Sequence, residues 1–175
     1  MNNDKKCLVS IVMPVYNAAN FLCDSIVSVL NQTYSNWELL LVNDCSTDKS
    51  KEIYEKFRND HRIKWIEQSN NLGAAKTRNH GIEIAKGRFI CFLDSDDKWI
   101  DTKIEEQLHF MRQNGCAFSY HSYEFADHKC KPTGKKVIAK KELCYREAIK
   151  NTIIFTSTVM FDTTKIDKKC YICQN

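Results

Sequence analysis

Short apolar runs alternate with helically spaced apolar stripes along the first part of this chain. Residues 8–14 (LVSIVMP) form a β-branched apolar run and predict a buried strand. Leu22, Ile26, Val29 and Leu30 then recur at i, i+4, i+7 and i+8, the spacing of one helix face. Residues 37–43 (WELLLVN) predict a second strand, and residues 63–67 (IKWIE) a third. Between these two, Ser46 or Thr47 is the expected cap of a helix with Asp48 in its first turn and Ile53 and Phe57 on its inner face. Residues 73–86 read as a helix closed by Gly87, and residues 88–94 (RFICFLD) as the fourth strand. Asp101 is the expected cap of a helix carrying Ile104, Leu108 and Met111.

Apolar strands alternating with helices predict an α/β fold with a doubly wound, mostly parallel sheet of the Rossmann-like kind. Right-handed crossovers then bring every strand's C-terminal end to one edge, where ligands bind. After Cys116 the pattern changes. Residues 116–125 (CAFSYHSYEF) predict a strand, 135–139 (KKVIA) a shorter one, 142–150 a helix and 157–161 (STVMF) a last strand. This second part is expected to be mixed sheet. No repeat, low-complexity tract or Pro/Gly linker divides the 175 residues, which amount to one domain.

Three strand ends become informative together on that edge. The first ends in Pro14-Val15-Tyr16-Asn17, the second in Asn43-Asp44-Cys45-Ser46, the fourth in Asp94-Ser95-Asp96-Asp97. Clustered carboxylates raise one another's pKa, and a divalent cation relieves the repulsion. Hard oxygen donors suit Mg²⁺ or Mn²⁺, and few protein ligands are needed where phosphates supply the rest. A plain turn with acids ahead of the next helix is the alternative, and these four residues alone leave both open. Arg78 shares a helix face with Ala75, Ile82 and Ala85, so its guanidinium needs a partner: Asp44, the acidic cluster or an anionic ligand. Tyr16 is either a core residue or a flat surface for a base.

Composition narrows the field. A net charge of +4 is too mild for a nucleic-acid partner, and the tightest basic group is Lys135, Lys136, Lys140 and Lys141, which reads as a solvated face. Nine cysteines are odd in number and dispersed, so buried thiols in a reducing compartment are expected rather than a disulfide framework. Cys170-x-x-Cys173 lacks a second pair at zinc spacing. No apolar run is long enough to span a membrane. Five glycines and the absence of G-x-G-x-x-G argue against a dinucleotide fold, and there is no P-loop motif. The five histidines show no metal spacing, and there is no G-x-S-x-G elbow.

Taken in order, PVYN, NDxSxD, NxGxxxxRN and DSDD, with TSTVMF near the end, resemble the bacterial family 2 glycosyltransferases of the GT-A fold, from about Val9 to Phe161. The resemblance implies one GT-A-like domain over 1–175, with a donor-binding half at about 8–100 and a partial acceptor-side half at about 101–175. It implies a metal-dependent, inverting transfer from a nucleotide-diphospho-sugar, a UDP-sugar foremost, to a saccharide or lipid-linked acceptor in cell-surface polysaccharide synthesis. Pro14, Val15, Tyr16 and Asn17 would line the nucleobase pocket, with Tyr16 against the base. Asp44 would accept a hydrogen bond from base or ribose, and Arg78 would hold the nucleotide. Asp94 and Ser95 would contact ribose or sugar, and Asp96 would bind Mn²⁺ or Mg²⁺ with Asp94 or Asp97 assisting. The setting implied is cytoplasmic, at the inner face of the membrane, with peripheral contact to it.

One departure from the family pattern stands out. Family members continue into an acidic pair whose Asp is the usual general base. Asp162 and Asp167 do not stand in that motif, so no catalytic base is assigned within the chain, and the general base is expected beyond Asn175. The ending KKCYICQN reads as a truncation or a frameshift. A donor-binding fragment without transfer is therefore the second expectation. An Asp-dependent phosphotransferase is a remote third, since such enzymes carry Asp-x-Asp on an early strand and with Thr or Val where Lys98 stands.

Overall fold

The computed structural model describes residues 7–127, 131–141, 146 and 153–166. Its centre is β1 (Val9–Val15), buried along nearly its whole length, which pairs in parallel with β2 (Trp37–Asn43) on one side and with β4 (Phe89–Phe92) on the other. β3 (Ile63–Glu67) adds to β2, also in parallel. Beyond β4 the direction reverses. β8 (Met160–Asp162) runs antiparallel to β4, and β5 (Phe118–Ser119) antiparallel to β8, giving the order β3-β2-β1-β4-β8-β5. β6 (Tyr123–Ala126) and β7 (Pro132–Val137) form a separate antiparallel hairpin. The expected mixed sheet in the second part is therefore present.

Side-chain alternation explains why both sheet faces are covered. Ile11, Met13, Leu39, Leu41 and Cys91 point to one side, against α1 (Leu22–Leu30) and α4 (Lys103–Gln113). Val12, Leu40, Ile90 and Phe92 point to the other, against Ile82 and Ala85 in or just after α3 (Ala74–Ile84). Each fully buried aliphatic side chain contributes about 1.5–3 kcal/mol relative to exposure, so the continuous apolar runs make the sheet the core. α3 approaches β1 closely at Gly81, where a Cβ would lie 2.3 Å from Val12 Cγ1.

Several local expectations are corrected by distant contacts. β1 is shifted by one residue to Val9–Val15, and β4 is shorter than residues 88–94. Ser46 and Thr47 do not cap α2 (Ser50–Glu55); Asp48 accepts from the Ser50 backbone N–H at 2.9 Å instead, while Ser46 Oγ accepts from Asn17 N at 3.0 Å. Asp101 does not cap α4 either. The Ile104 N–H there is satisfied by Gln32 Oε1 at 3.0 Å, from the end of α1. Gly87 is no helix cap: it lies against β1, where a Cβ would come within 2.5 Å of Ser10 N. Residues 116–125 are split between β5 and β6, and residues 157–161 begin as a 3-10 turn, Thr156–Thr158, before β8. The expected helix at 142–150 lies outside the described residues, Arg146 apart, and so do Asp167, the Cys170/Cys173 pair and the last residue, Asn175. Of the described cysteines, all free, Cys91 is buried, Cys7, Cys45 and Cys116 are half-buried and Cys23 is exposed, so burial is less complete than the apolar runs suggested.

Candidate donor site

Parallel pairing fixes where the strand ends fall. Val15 is level with Asn43, and Asn43 with Glu67, while Leu93 N donates to Val12 O just past β4. The segments 14–17, 43–46 and 94–97 therefore leave the sheet side by side on one rim, as the strand pattern predicted.

The first two segments are laced together. Asn17 takes a left-handed backbone (φ 49°), which Asn tolerates, and its Oδ1 accepts from Thr47 N at 2.8 Å. Ala19 N donates to Asp48 Oδ2 at 2.9 Å and Ala18 N to Ser50 Oγ at 2.9 Å. Tyr16, free of this lacing, is 55% exposed, so it is no core residue but a ring presented at the rim. Cys45 is also left-handed (φ 61°), a conformation that costs a non-glycine residue about 1–2 kcal/mol.

Asp44 is buried and committed to backbone. Its Oδ1 accepts from Leu72 N at 2.7 Å and Gln68 Nε2 at 2.9 Å, and its Oδ2 from Gly73 N at 2.9 Å. The carboxylate thereby ties the end of β2 to the loop that starts α3. That loop aims α3, and with it Arg78, at the rim.

Arg78 resolves its own open question. Its Nη2 donates to Asp94 Oδ1 at 2.5 Å, while its Nε is buried without a partner. One edge of the guanidinium thus answers the acidic turn and another donor remains unused.

The acidic turn is closed by Asp97 N donating to Asp94 O at 3.0 Å. Ser95 serves through its backbone, accepting from Ser25 Oγ at 2.9 Å. Ser157, in the 3-10 turn, accepts from Asp94 N at 3.0 Å and donates to Asp97 Oδ2 at 2.5 Å. The indole of Trp99 donates to Ser157 O at 2.8 Å. Burial pushes the Asp97 carboxyl above its ordinary range, the charges of Asp94 and Asp96 add to this, and the Ser157 hydroxyl counters it. Asp96 is exposed and makes no hydrogen bond or ion pair among the described residues. Asp94 is held by Arg78 and Asp97 by Ser157, which leaves Asp96 as the carboxylate open to a cation.

That donor set fits a hard divalent ion anchored by one carboxylate and completed by phosphate and water. Among the described residues no three His, Cys, Asp or Glu side chains form a cage of their own. Asp162, one of the two late acids, sits at the opposite edge of the sheet. There it is paired with Phe89 at the start of β4 and salt-bridged to Arg88 at 2.8 Å. Burial works to raise its pKa, but Arg88 and Thr164 hold it down at about 2.

Sequence reasoning missed Ser157. Its only signal was its place in TSTVMF, a segment read as a strand with no role for its hydroxyl. The partners of Asp44 at residues 68–73 were missed for the same reason: nothing local marks a contact spanning 24–29 positions.

This open α/β sheet with an acidic turn at its C-terminal rim has the architecture of the GT-A-like transferases. The crystal structure of S. aureus TarS residues 1–349 in complex with UDP-GlcNAc superposes with a TM-score of 0.76 at 24% identity, over 93% of this chain and 47% of that one, a likeness of fold. The model of the family described as glycosyl transferase family 2 matches residues 10–168, and the chain belongs to that family. It is 44% identical over 158 residues to the putative teichuronic acid biosynthesis glycosyltransferase TuaG of Bacillus subtilis, covering 90% of this chain and 63% of that one. It is 42% identical over 160 residues to WfgD of Escherichia coli, named as a UDP-Glc:α-D-GlcNAc-diphosphoundecaprenol β-1,3-glucosyltransferase, covering 91% and 62%. The chain thus spans under two thirds of the length of these curated relatives.

Proposed function

We propose that this chain binds a UDP-sugar at the rim and serves transfer of the sugar to a saccharide hydroxyl on a lipid-linked acceptor, in cell-surface polysaccharide synthesis. The observation that carries the reading is the meeting of Tyr16 and the Asp94–Asp97 turn at the strand-end rim with Arg78 of α3, which is bonded to Asp94. Tyr16 offers a flat face to the base beside Pro14 and Asn17, whereas Val15, expected at the same pocket, is fully buried in the core. Arg78 brings its positive charge beside the acidic turn through its bond to Asp94, where a diphosphate would bind. The relatives of known name support the donor and acceptor classes, UDP-Glc and a sugar diphosphate on a lipid. The setting that fits such an acceptor is the cytoplasmic face of the membrane. Among the described residues no helix is long and apolar enough to cross it.

Asp96, with Asp94 or Asp97 beside it, would hold Mn²⁺ or Mg²⁺, and the ion would neutralise charge on the departing diphosphate. In inverting transfer the acceptor oxygen bonds the anomeric carbon as the bond from that carbon to phosphate oxygen breaks, and the hydroxyl proton passes to a base. Asp162 cannot be that base, since it lies at the far edge of the sheet bound to Arg88. No general base is therefore assigned among the described residues.

Isothermal titration with UDP in the presence and absence of Mn²⁺ tests the donor reading. Metal-dependent binding is expected, with Asp96→Asn losing the metal dependence and Arg78→Lys binding about tenfold more weakly, the equivalent of roughly 1.4 kcal/mol. No heat with any nucleotide would end the reading. Donor binding without turnover is the second reading, favoured by the position of Asp162. A radiolabel transfer assay separates the two, because turnover by this chain rules the second one out.

A further inference from the structure

Beside its apolar stripe, α1 carries a second, polar one. Ser25, Ser28 and Gln32 stand at i, i+3 and i+7, on one side of the helix and its end, and all three are buried. A hydroxyl or amide withdrawn from water costs free energy unless it is hydrogen-bonded, and alanine would avoid that cost. Each of the three is bonded, and their bonds converge on the loop between β4 and α4.

The partners advance along that loop in step with the helix. Ser25 Oγ donates to Ser95 O at 2.9 Å. Ser28 Oγ accepts from Trp99 N at 3.3 Å. Gln32 Nε2 donates to Ile100 O at 2.7 Å, and its Oε1 accepts from Ile104 N at 3.0 Å. Thr33 N continues the series by donating to Asp101 O at 2.8 Å. The backbone of an irregular loop has no ladder to satisfy it, so these side chains of α1 stand in for one.

Ser25 acts on the part of the loop that reaches the donor rim. Ser95 O belongs to the peptide joining Ser95 to Asp96, and a planar peptide moves as one piece. Fixing that oxygen fixes the direction in which the chain enters Asp96. Asp96 has no bond of its own among the described residues, so its place comes from its neighbours. Arg78 and Ser157 hold Asp94, Ser157 holds Asp97, and Ser25 holds the peptide between them. The same first turn of α1 is anchored on the other side of the site. Ala18 O, two residues after Tyr16, accepts from Phe21 N at 3.0 Å and from Leu22 N at 2.9 Å. One turn of helix thus joins the segment that carries Tyr16 to the peptide that carries Asp96.

We propose that Ser25 is a positioning residue of the donor site: through the Ser95–Asp96 peptide it sets where the Asp96 carboxylate stands relative to Tyr16. This rests on the donor reading, in which Asp96 holds the cation. The test titrates UDP into the full chain over a series of Mn²⁺ concentrations, for the parent, Ser25→Ala and Gln32→Ala. Gln32→Ala breaks the same stripe at the far end of the loop, so it reports lost stability without lost alignment at Asp96. Ser25→Ala is expected to raise the Mn²⁺ concentration needed for UDP binding by about five- to tenfold, the scale of one lost hydrogen bond, and to leave binding without metal unchanged. Gln32→Ala should lower the melting temperature and leave the Mn²⁺ requirement where it is in the parent. With no ligand present, exchange of the Asp97 amide, which donates to Asp94 O, should speed up in Ser25→Ala and not in Gln32→Ala. The proposal is overturned if Ser25→Ala keeps the parent's Mn²⁺ requirement, if Gln32→Ala shifts it as far, or if the Asp97 amide exchanges alike in Ser25→Ala and the parent. A parent whose UDP binding is indifferent to metal overturns the donor reading instead, and the exchange measurement still decides whether Ser25 holds the turn.

Discussion

Ser157 donates a 2.5 Å hydrogen bond to Asp97, sixty positions earlier in the chain, while accepting one from the backbone of Asp94. One hydroxyl therefore closes the acidic turn from outside it and leaves Asp96 as the carboxylate facing solvent. The bond also decides how Asp97 titrates. Burial and its acidic neighbours raise its pKa, and Ser157 opposes them.

A pH-dependent cost of Ser157→Ala follows from that opposition. A carboxyl whose folded pKa is raised stabilises the fold fully below its unfolded value and loses that contribution as pH rises through the folded one. Without Ser157 the ionised Asp97 has no hydroxyl donor, so the loss deepens. Ser157→Ala should cost about 1–3 kcal/mol at pH 7 and less at pH 4, since the raised pKa leaves Asp97 more protonated there than an ordinary aspartate. Ser157→Thr should restore most of it. Urea unfolding at the two pH values measures this, and an equal cost at both would mean that the hydroxyl acts by packing alone.

Asp44 illustrates a residue whose type is right for a ligand but whose oxygens are already engaged. Both backbone donors at the start of α3, Leu72 N and Gly73 N, depend on it. Asp44→Ala should cost about 2 kcal/mol by the loss of charge-assisted bonds. Hydrogen exchange at the Leu72 and Gly73 amides should rise toward that of open loops. Retained protection at both amides would show that the loop holds itself, and would return Asp44 to the list of groups free for base or ribose.

What the sequence disclosed, and what it hid, follows the range of the forces involved. Apolar runs such as 37–43 identify buried strands because burial acts residue by residue, and parallel topology then brings Tyr16, Asp44 and Asp96 to one rim. Arg78 was legible because a cation on the stripe that carries Ile82 demands a partner, although Ala75 on the expected face is exposed; its choice of Asp94 over Asp44 was not legible. Helix ends failed where another group served than the one expected: Gln32, from the end of α1, for α4, and Asp48, next to the expected Thr47, for α2. Gly87 looked like a cap and is a close approach to Ser10, since a missing side chain leaves the same mark in sequence for either purpose.

Lys103 supplies the last prediction, and it runs against intuition. Its ammonium is fully buried in α4, 3.7 Å over the centroid of the Trp99 ring, with no hydrogen-bond partner in the described structure. Burial lowers its pKa from 10.5 to about 8, with a small opposing effect from the Cys91 thiol. The sign follows directly. A lysine with a depressed folded pKa sheds its proton in the fold before the unfolded chain does, so stability rises between pH 8 and pH 10.5 and is lost again as pH falls through about 8. At neutral pH the fold therefore carries the charge at a cost on the order of 3 kcal/mol, partly offset by the indole face. Lys103→Met keeps the length of the side chain and removes the charge. It should stabilise the protein at pH 7 by about 1–3 kcal/mol, and the gain should shrink toward zero above pH 10. Parallel urea melts of both proteins across that range provide the check. Destabilisation by Lys103→Met at pH 7 would show that the ammonium has a partner worth more than its burial costs.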